Sequence, residues 1–339
     1  MQNWINTETN KEDVVLSSRI RLARNLKGIP FPNKLNTEKG KDIVAKVEEA
    51  FYSNTHCEEN YKTYYLWHNT DTINEAFLEK HIISKKLLNN KNKASFIVDK
   101  DEVISIMINE EDHIRLQSVV SGFNINQAYE YTNKVDDLLE EKLDYAYDEK
   151  LGYLTTCPTN LGTGMRASVM LHLPSLTITK EINGILNALT QVGMTIRGLY
   201  GEGSRAYGNL YQISNQITLG ISENEILAKL TAVINQVVNQ EKVSREQILK
   251  KNEYELKDKI FRSLGLLQSA VLLNEDECLN LLSSVRMGVE LGIINNISKT
   301  TLNKLMINSQ SSIIRLNNQK VDDKQLRLLR AELIKEGLK

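Results

Sequence analysis

The last third of the chain is the part whose possible folds are most restricted by its sequence. From Ser222 onward it contains no proline and no strand-like alternation of apolar and polar residues. Ser222 and Glu225 form the signature of a helix capping box, and apolar residues then recur at helical spacing to about Tyr254. Further helices are predicted at 258–273, 275–291, 299–308 and 321–338. We therefore expect an all-helical domain over 255–339, packed on the rest of the chain or on a second copy of itself.

Before Ser222 the pattern changes to a mixture of short strands and helices. Strands are predicted at 15–21, 61–67, 94–98, 102–108 and 194–200. Helices are predicted at 41–52, 72–88, 127–143 and 175–192. A further short, apolar helix is expected to begin at Arg166 and to end at Pro174. The turn at 99–101 predicts that the two strands beside it form a hairpin.

The composition argues against several classes of protein. With 339 residues, 41% hydrophobic and 25% charged, the chain is long enough for a sizeable core and more than one domain. A net charge of −1 argues against a nucleic-acid-binding protein. The polar N-terminus and the lack of an 18-residue apolar run argue against export and membrane insertion. Cys57, Cys157 and Cys278 lie far apart without metal-ligand spacing, so we expect no disulfide framework, no zinc site and a cytoplasmic location.

Arginine is distributed unevenly, in a way that indicates an anion-binding site. The chain has 13 arginines against 29 lysines, and no arginine lies between Asn25 and Ile114. A guanidinium can grip phosphate oxygens through two parallel hydrogen bonds, which an ammonium cannot do. Arginines kept in a lysine-rich chain therefore predict a phosphate clamp, with surface ion pairs as the alternative for any one of them. Seven fall in four short stretches, namely Arg19, Arg21, Arg24, Arg115, Arg166, Arg197 and Arg205.

The first of these stretches, VVLSSRIRLARN, is predicted to begin with a strand. Alternation would place Ser17, Arg19 and Arg21 on one face, with Ser18 and Ile20 on the other. Two guanidiniums and a hydroxyl on one face suit a polyphosphate. A solvated strand face is the alternative.

The motif NEEDHIR, from Asn109 to Arg115, crowds four ionisable side chains beside an arginine at the end of a predicted strand. Such crowding is unfavourable unless a cation or a guanidinium neutralises the carboxylates. The motif therefore predicts a site for a cationic group, with an acidic surface turn as the alternative.

The stretch CPTNLGTGMRA combines a thiol, a rigid turn and a cation. Pro158 stiffens the loop after Cys157, and Gly162 and Gly164 allow its backbone to approach a ligand closely. Backbone N–H groups and Arg166 could then bind an anion, with the thiol nearby. A buried cysteine followed by an ordinary glycine-rich turn is the alternative.

The segment GEGSRA at 201–206 fits the G-x-G-x-x-A pattern of dinucleotide-binding folds. That pattern requires a helix directly after it. The residues that follow, NLYQISNQITLG, are strand-like, so we reject a dinucleotide site.

Four segments occur in the same order as in one known family. VLSSRIR, NEEDHIR, CPTNLGTGMRA and RGLYGEGS resemble the signature segments of the phosphagen kinases, which phosphorylate a guanidinium with ATP. The resemblance implies an α+β catalytic domain over 14–244, with a mostly antiparallel sheet flanked by helices. It implies that Glu111 and Glu202 bind the substrate guanidinium and that Cys157, as a thiolate, is a third acceptor. Mg²⁺ would be held by the nucleotide phosphates and not by protein ligands.

The same resemblance assigns the nucleotide to residues of these four segments and to one histidine. They are Ser17, Ser18, Arg19, Ile20, Arg21, His81, Arg115, Arg166, Ala167, Ser168, Val169, Met170, Arg197, Gly198, Leu199, Tyr200 and Gly201.

The region before VLSSRIR indicates which members of the family the chain resembles most. Metabolite-type phosphagen kinases carry a helical domain there, whereas 14 residues precede the motif in this sequence. The chain instead resembles the bacterial protein arginine kinases of the McsB type, which have a catalytic domain followed by a helical domain. This implies arginine side chains of proteins as substrates, a McsA-type activator, a CtsR-type stress repressor and ClpC-ClpP as partners, and a homodimer. A free-arginine kinase and a non-catalytic adaptor are the alternatives.

One departure from that family lies in the last predicted helix. McsB-type kinases bind phosphoarginine there through two arginines and an aspartate, and the bound ligand activates them. The matching stretch here is Arg327, Leu328, Arg330 and Ala331, with a leucine in place of the aspartate. A leucine cannot pair with the guanidinium of the ligand, so we expect weak binding or none. The alternative is that this stretch is only an amphipathic helix.

Overall fold

The computed structural model describes residues 3–7, 14–53, 59–198, 207–318 and 320–339. Several residues named above lie outside the described residues, namely Cys57, Leu199, Tyr200, Gly201, Glu202 and Arg205.

An antiparallel sheet of eight strands organises the first two-thirds of the chain. Its strands are β1 (Val15–Arg24), β2 (Tyr61–Tyr65), β3 (Ser95–Asp99), β4 (Ile104–Ile108), β5 (Ile114–Ser121), β8 (Met165–His172), β9 (Met194–Gly198) and β10 (Leu210–Asn215), and β6 (Tyr147–Asp148) pairs separately with β7 (Gly152–Tyr153). The order across the large sheet is β2-β3-β4-β5-β1-β8-β10-β9, and each neighbouring pair is antiparallel. The predicted α+β fold with a mostly antiparallel sheet is confirmed.

Helices flank this sheet, most of them on one face. Before the C-terminal region they are α1 (Thr37–Tyr52), α2 (Asp71–Glu79), α3 (Lys85–Leu88), α4 (Ile125–Glu140), α5 (Pro174–Ile178), α6 (Ile182–Gln191) and α7 (Glu223–Lys251). Apolar residues of α1, α4 and α7 share one core with the strand residues Ile20, Ala167 and Val169, which are fully buried. Burial of this face leaves the opposite face of β1 and β8 to carry polar side chains.

The C-terminal region is helical, as predicted. It consists of α8 (Glu253–Ser269), α9 (Glu275–Glu290), α10 (Lys299–Asn308), α11 (Ser311–Asn317) and α12 (Asp323–Gly337). Its core includes Leu279 and Met306, and it is continuous with Leu16 and Val119 on the second face of the sheet. The helical region therefore packs directly on the sheet. Because α7 continues past residue 244 to Lys251, the proposed domain limits remain a prediction.

The prediction of a helix that begins at Arg166 is wrong, because Met165–His172 is strand β8 at the centre of the sheet. It pairs with β1 on one side and with β10 on the other, and Ala167, Val169 and Leu171 are fully buried. A short, largely apolar run that is buried in this way cannot be distinguished from a buried helix by its periodicity.

Two other predicted helices are interrupted. The segment 72–88 breaks after Glu79, and His81 adopts a left-handed backbone conformation with φ of 62°. The segment 175–192 breaks at Lys180, where φ is 64°. Left-handed non-glycine residues are uncommon, and no sequence pattern marked these two. The hairpin of β3 and β4 and the capping box of Ser222 are confirmed.

Helix α11 is absent from the sequence prediction. Among the described residues, no helix is both long and apolar enough to cross a bilayer.

Candidate active site

Four arginines project from the second face of the sheet. Directly paired residues in an antiparallel sheet lie on the same face, and Arg21 pairs with Arg166 across β1 and β8. On the same face, Arg115 of β5 pairs with Ala23, two residues from Arg21, and Arg197 of β9 pairs with Gln212 of β10. Like charges directly opposite each other destabilise a sheet. The pairing of Arg21 with Arg166 in the middle of this sheet therefore indicates a site that is built for an anion.

The electrostatics of β1 support an anion site. Burial, together with the positive charges of Arg115 and Arg166, lowers the pKa of Arg19 to about 10. Burial and the three neighbouring arginines lower the pKa of Arg21 well below its usual range. The buried Nε of Arg21 has no hydrogen-bond partner among the described residues. A polyphosphate would supply both the negative charge and the acceptors that this strand lacks.

The first glutamate of the NEEDHIR motif holds one of these arginines. Glu110 accepts a hydrogen bond of 2.9 Å from Arg115 Nη1, and it also accepts bonds from Ser84 Oγ and from the backbone N–H of Glu111. Burial alone would raise the pKa of Glu110, but Arg115 and these hydrogen bonds lower it below its usual value. Glu110 is therefore an ionised carboxylate that fixes the guanidinium of Arg115.

The second glutamate is placed differently. The side chain of Glu111 is 21% exposed, and its Oε2 lies 2.7 Å from Lys86 Nζ at the start of α3. Its backbone oxygen accepts a hydrogen bond of 2.9 Å from Thr156 Oγ1. Glu111 is thus an accessible carboxylate that pairs with a lysine of the chain itself.

The next two residues of the motif are structural. Asp112 is fully buried and accepts hydrogen bonds from Asn25 Nδ2 and from the backbone N–H of Thr156. His113 is fully buried, its Nδ1 accepts a bond from the Leu26 N–H, and burial lowers its pKa to about 4. These bonds attach the acidic turn to β1 and to the cysteine loop.

The cysteine loop is held in a fixed path beside the acidic turn. Cys157 is half-buried, and its Sγ lies 3.0 Å from Thr159 Oγ1. Gly162 has φ of 97°, and a Cβ there would lie 2.2 Å from the carbonyl oxygen of Thr218, so only glycine fits. Thr218 Oγ1 in turn donates to carbonyl oxygens of this loop. The thiol is therefore positioned by its surroundings and is not an ordinary buried cysteine.

These groups line a single cavity of about 690 Å³. Its predicted site residues are Arg21, Glu111, Arg115, Cys157, Arg166 and Arg197, and Glu110, which was not among the predicted site residues, lines it beside them. Ser84, Lys86 and Thr159 line it as well and were missed by the sequence reasoning. Thr159 could have been found from its position two residues after Cys157. Lys86 approaches from a separate helix, and no sequence pattern links it to Glu111.

A second group of predicted residues lines a separate, much smaller cavity of about 20 Å³. It contains Ser17, Arg19, His81, Ser168 and Met170. Arg19 Nη2 donates a 2.6 Å hydrogen bond to Gln212 Oε1, and burial lowers the pKa of His81 to about 4.

Two apolar side chains also line this small cavity, Trp4 from the N-terminal segment and Met306 from α10. Trp4 is 5% exposed, and its ring centroid lies 6.5 Å from that of His81. A space of this size holds about one water molecule. Trp4 and Met306 therefore occupy the region beside the predicted nucleotide-binding residues.

The other predicted residues that the structure describes do not line either cavity. Ser18 donates to the Gly122 carbonyl oxygen, while Ile20, Ala167 and Val169 lie in the core beneath the sheet. Gly198 ends strand β9 and is buried. Their assignment to the nucleotide remains a prediction.

Arg24 does not belong to the phosphate clamp, which corrects that part of the prediction. It is 3% exposed, and its Nη2 lies 2.6 Å from Asp136 Oδ2 on α4. Its Nη1 donates to the carbonyl oxygens of Ala23 and Thr163. Arg24 therefore joins β1 to α4 and to the cysteine loop.

The predicted phosphoarginine pocket contains one arginine whose donors are used within the fold. Arg330 is 2% exposed and donates to Ser309 O, Leu273 O and Ser311 Oγ. Arg327 and Leu328, by contrast, are half-buried, and Ala331 is fully buried.

Comparison with known proteins agrees with this geometry. The family model for the "ATP:guanido phosphotransferase, C-terminal catalytic domain" matches residues 42–244, and that for the "Protein-arginine kinase McsB C-terminal domain" matches residues 253–339. A protein-arginine kinase of Clostridium acetobutylicum is 54% identical over all of both chains. One from Clostridium novyi is 57% identical over 100% of this chain and 99% of its own.

A solved structure shows the same fold. Lombricine kinase superposes with a TM-score of 0.60 and 26% identity, covering 72% of this chain and 69% of its own. The chain therefore belongs to the ATP:guanido phosphotransferase family. Its full-length similarity to the clostridial enzymes places it among the protein-arginine kinases of that family.

Proposed function

We propose that the chain transfers the γ-phosphoryl group of ATP to arginine side chains of other proteins. The observation that carries the proposal is the meeting, in one cavity, of four arginines with Glu111 and Cys157. The arginines suit a polyphosphate, while the carboxylate and the thiol suit a guanidinium. The relatives that match the whole chain carry the name protein-arginine kinase.

The arginines would perform the phosphate part of the reaction. Arg21, Arg115, Arg166 and Arg197 would bind the phosphates and stabilise the charge that develops on the transferring group. Glu110 keeps the guanidinium of Arg115 in place, since its carboxylate holds Nη1. Mg²⁺ held by the nucleotide phosphates would supply further stabilisation of this charge.

The acceptor nitrogen poses a separate chemical problem, because a guanidinium has no free lone pair. Glu111 would pair with the guanidinium, localise its charge and align one nitrogen with the γ-phosphorus. The N–P bond forms as the bond from phosphorus to the leaving oxygen of ADP breaks, and the proton passes from nitrogen to a carboxylate. The thiolate of Cys157 would accept a further hydrogen bond from the guanidinium. The resemblance of RGLYGEGS to the family's motif assigns the role of the second carboxylate to Glu202.

The direct test uses Mg-ATP with three acceptors in parallel: free arginine, an unfolded protein, and the same protein with its arginines replaced by lysine. We expect acid-labile phosphate only on the protein that contains arginine. Phosphate on free arginine alone would indicate the small-molecule kinase. No transfer to any acceptor would favour the non-catalytic adaptor.

The proposal extends to the cellular role. Phosphoarginine would mark a CtsR-type repressor and damaged proteins for ClpC-ClpP proteolysis in the stress response, with a McsA-type activator and a homodimeric kinase in the cytoplasm. Similarity over both the catalytic and the C-terminal region supports this extension. Free thiols at Cys157 and Cys278 suit a reducing compartment. Binding of a ClpC-type protein to phosphorylated but not to unphosphorylated substrate is the expected result.

The role proposed for Cys157 leads to a prediction about alkylation. Cys157→Ser should lower turnover roughly tenfold or more, and a thiol reagent should inactivate the wild type unless Mg-ATP and substrate are both present. Cys278 is an internal control, because it is fully buried and burial raises its pKa to about 11. Peptide mass spectrometry locates the adduct. Full activity of protein alkylated at Cys157 would remove this thiol from the mechanism.

The small cavity leads to a prediction about Trp4. Because about 20 Å³ cannot hold a nucleotide base, ATP bound along Arg19 and His81 should displace this side chain. In a Trp67→Phe background, the emission of Trp4 should shift towards that of exposed tryptophan on titration with Mg-ATP. Trp4→Ala should bind nucleotide more tightly. Unchanged emission at saturating ATP would place the base elsewhere.

A further inference from the structure

The accessible glutamate of the cavity is paired with a lysine that the mechanism does not use. Lys86 Nζ lies 2.7 Å from Glu111 Oε2, and the lysine side chain is 58% exposed. Lys86 is positioned by α3, whose first turn is capped by Ser84 Oγ on the Leu87 N–H. The same Ser84 hydroxyl donates to Glu110, so the helix and the acidic turn are joined at this point.

A guanidinium that binds Glu111 through two parallel hydrogen bonds uses both carboxylate oxygens and takes the place of this ammonium. One carboxylate oxygen cannot hold both cations at hydrogen-bond distance without bringing two positive charges together. Lys86 therefore competes with every substrate for Glu111. Its flexible four-carbon stem allows the displaced ammonium to move while remaining at the entrance, where it meets residues on either side of the target arginine.

The charges that line the cavity are mostly positive, and its two lysines are not used by the phosphate clamp. Among the described residues, the cavity is lined by six cations, Arg21, Lys85, Lys86, Arg115, Arg166 and Arg197, and by two carboxylates, Glu110 and Glu111. Glu110 is fully buried and paired with Arg115, so it does little to offset the lysines. An acidic residue beside the target arginine would find the displaced ammonium as a partner, whereas a basic residue would be repelled by it.

We propose that Lys86 determines specificity for the sequence around the target arginine: it favours acidic neighbours and disfavours basic ones. The inference rests on the role proposed for Glu111 as the guanidinium-binding carboxylate. It adds the class of substrate that this site selects. Lys85 strengthens the same preference from the adjacent position of α3.

The experiment compares three peptides that differ only around a single arginine, with glutamates, serines or lysines on both sides. Values of kcat/KM are measured for the wild type, for Lys86→Gln and for Lys91→Gln. Lys91 is the matched control, because it is similarly exposed and paired, here with Asp71 at 3.1 Å, but lies outside the cavity.

We expect the wild type to have a higher kcat/KM for the acidic peptide than for the basic one. Lys86→Gln should reduce the ratio of these two values roughly tenfold, since one charge at the entrance changes the kcat/KM of each peptide by about two- to fivefold. The KM of the serine peptide should fall in Lys86→Gln, because competition for Glu111 is removed. Lys91→Gln should behave as the wild type. The wild-type ratio should also approach one in about 0.5 M salt, where exposed charges are screened.

Three results would overturn the inference, and they are distinguishable from one another. If the wild type phosphorylates the serine peptide but Lys86→Gln keeps the wild-type ratio, the specificity role is wrong and the kinase function stands. If no peptide is phosphorylated while nucleotide still binds, the proposed function fails and the inference fails with it. The salt titration needs no variant, so a ratio that salt does not change refutes the electrostatic preference even if Lys86→Gln is unstable.

Discussion

Replacing Glu111 by glutamine is expected to reduce turnover by roughly 10²- to 10⁴-fold while nucleotide affinity stays near that of the wild type. The amide keeps the shape of the side chain but has no negative charge to pair with a guanidinium and no basic oxygen to accept its proton. Among the described residues Glu111 forms an ion pair with Lys86, whereas Arg115 pairs with Glu110, so the loss of Glu111 should leave phosphate binding largely intact. Steady-state kinetics together with calorimetric titration of Mg-ATP measure both quantities.

Two variants make this experiment specific. Glu110→Gln removes the charge that holds Arg115, so it should weaken nucleotide binding as well as turnover. Glu141→Gln, at an exposed position after α4, is the same chemical change away from the cavity and should have no effect. Equal loss of ATP affinity in the Glu110 and Glu111 variants would contradict the division of roles between the two carboxylates.

The sequence predicted much of this site because short motifs keep neighbouring residues on one strand or in one turn. Alternation along β1 placed Arg19 and Arg21 on a common face, and NEEDHIR placed Glu110 and Glu111 at a strand end beside Arg115. The motifs could not predict the register between neighbouring strands. That Arg21 faces Arg166 follows from the pairing of β1 with β8, which depends on contacts between residues far apart in the chain.

The errors have a common physical origin. Strand β8 was predicted as a helix because burial of Ala167, Val169 and Leu171 removes the contrast between faces that distinguishes strand from helix. Arg24 was predicted to bind phosphate because its partner, Asp136, lies on α4, 112 residues away. Lys86 was missed for the same reason, since its contact with Glu111 spans 25 residues. In each case a tertiary contact decides the role, and the local sequence does not contain it.

A substitution in the C-terminal region is expected to have the second large effect, which is a loss of stability. Arg330→Ala is expected to lower the free energy of unfolding by about 3–5 kcal/mol, because it removes one member of a buried charged network. Arg330 donates at 2.8 Å to Ser309 O, at 3.0 Å to Leu273 O and at 2.9 Å to Ser311 Oγ. Its Nη2 also lies 3.4 Å from Glu275 Oε2. Alanine would leave two backbone carbonyls without this donor and would open a cavity between α12 and the starts of α9 and α11.

Urea unfolding followed by circular dichroism measures this loss, and Arg327→Ala is the matched control. Arg327 lies three residues earlier on the same helix and is half-buried, so its replacement should change the free energy of unfolding by less than about 1 kcal/mol. Arg330→Lys should fall between the two, because one ammonium cannot reach all the acceptors of a guanidinium.

The same contacts decide whether phosphoarginine can bind here. A phosphate that used Arg330 would have to replace hydrogen bonds that hold four segments of the helical region together. We therefore expect free phosphoarginine to neither stabilise nor activate the wild type appreciably, and thermal unfolding and kinase assays with increasing phosphoarginine test this. A clear rise in stability or activity that Arg327→Ala abolishes would show that the ligand binds beside Arg330 without displacing it. An Arg330→Ala protein as stable as the wild type would show that the buried network contributes little.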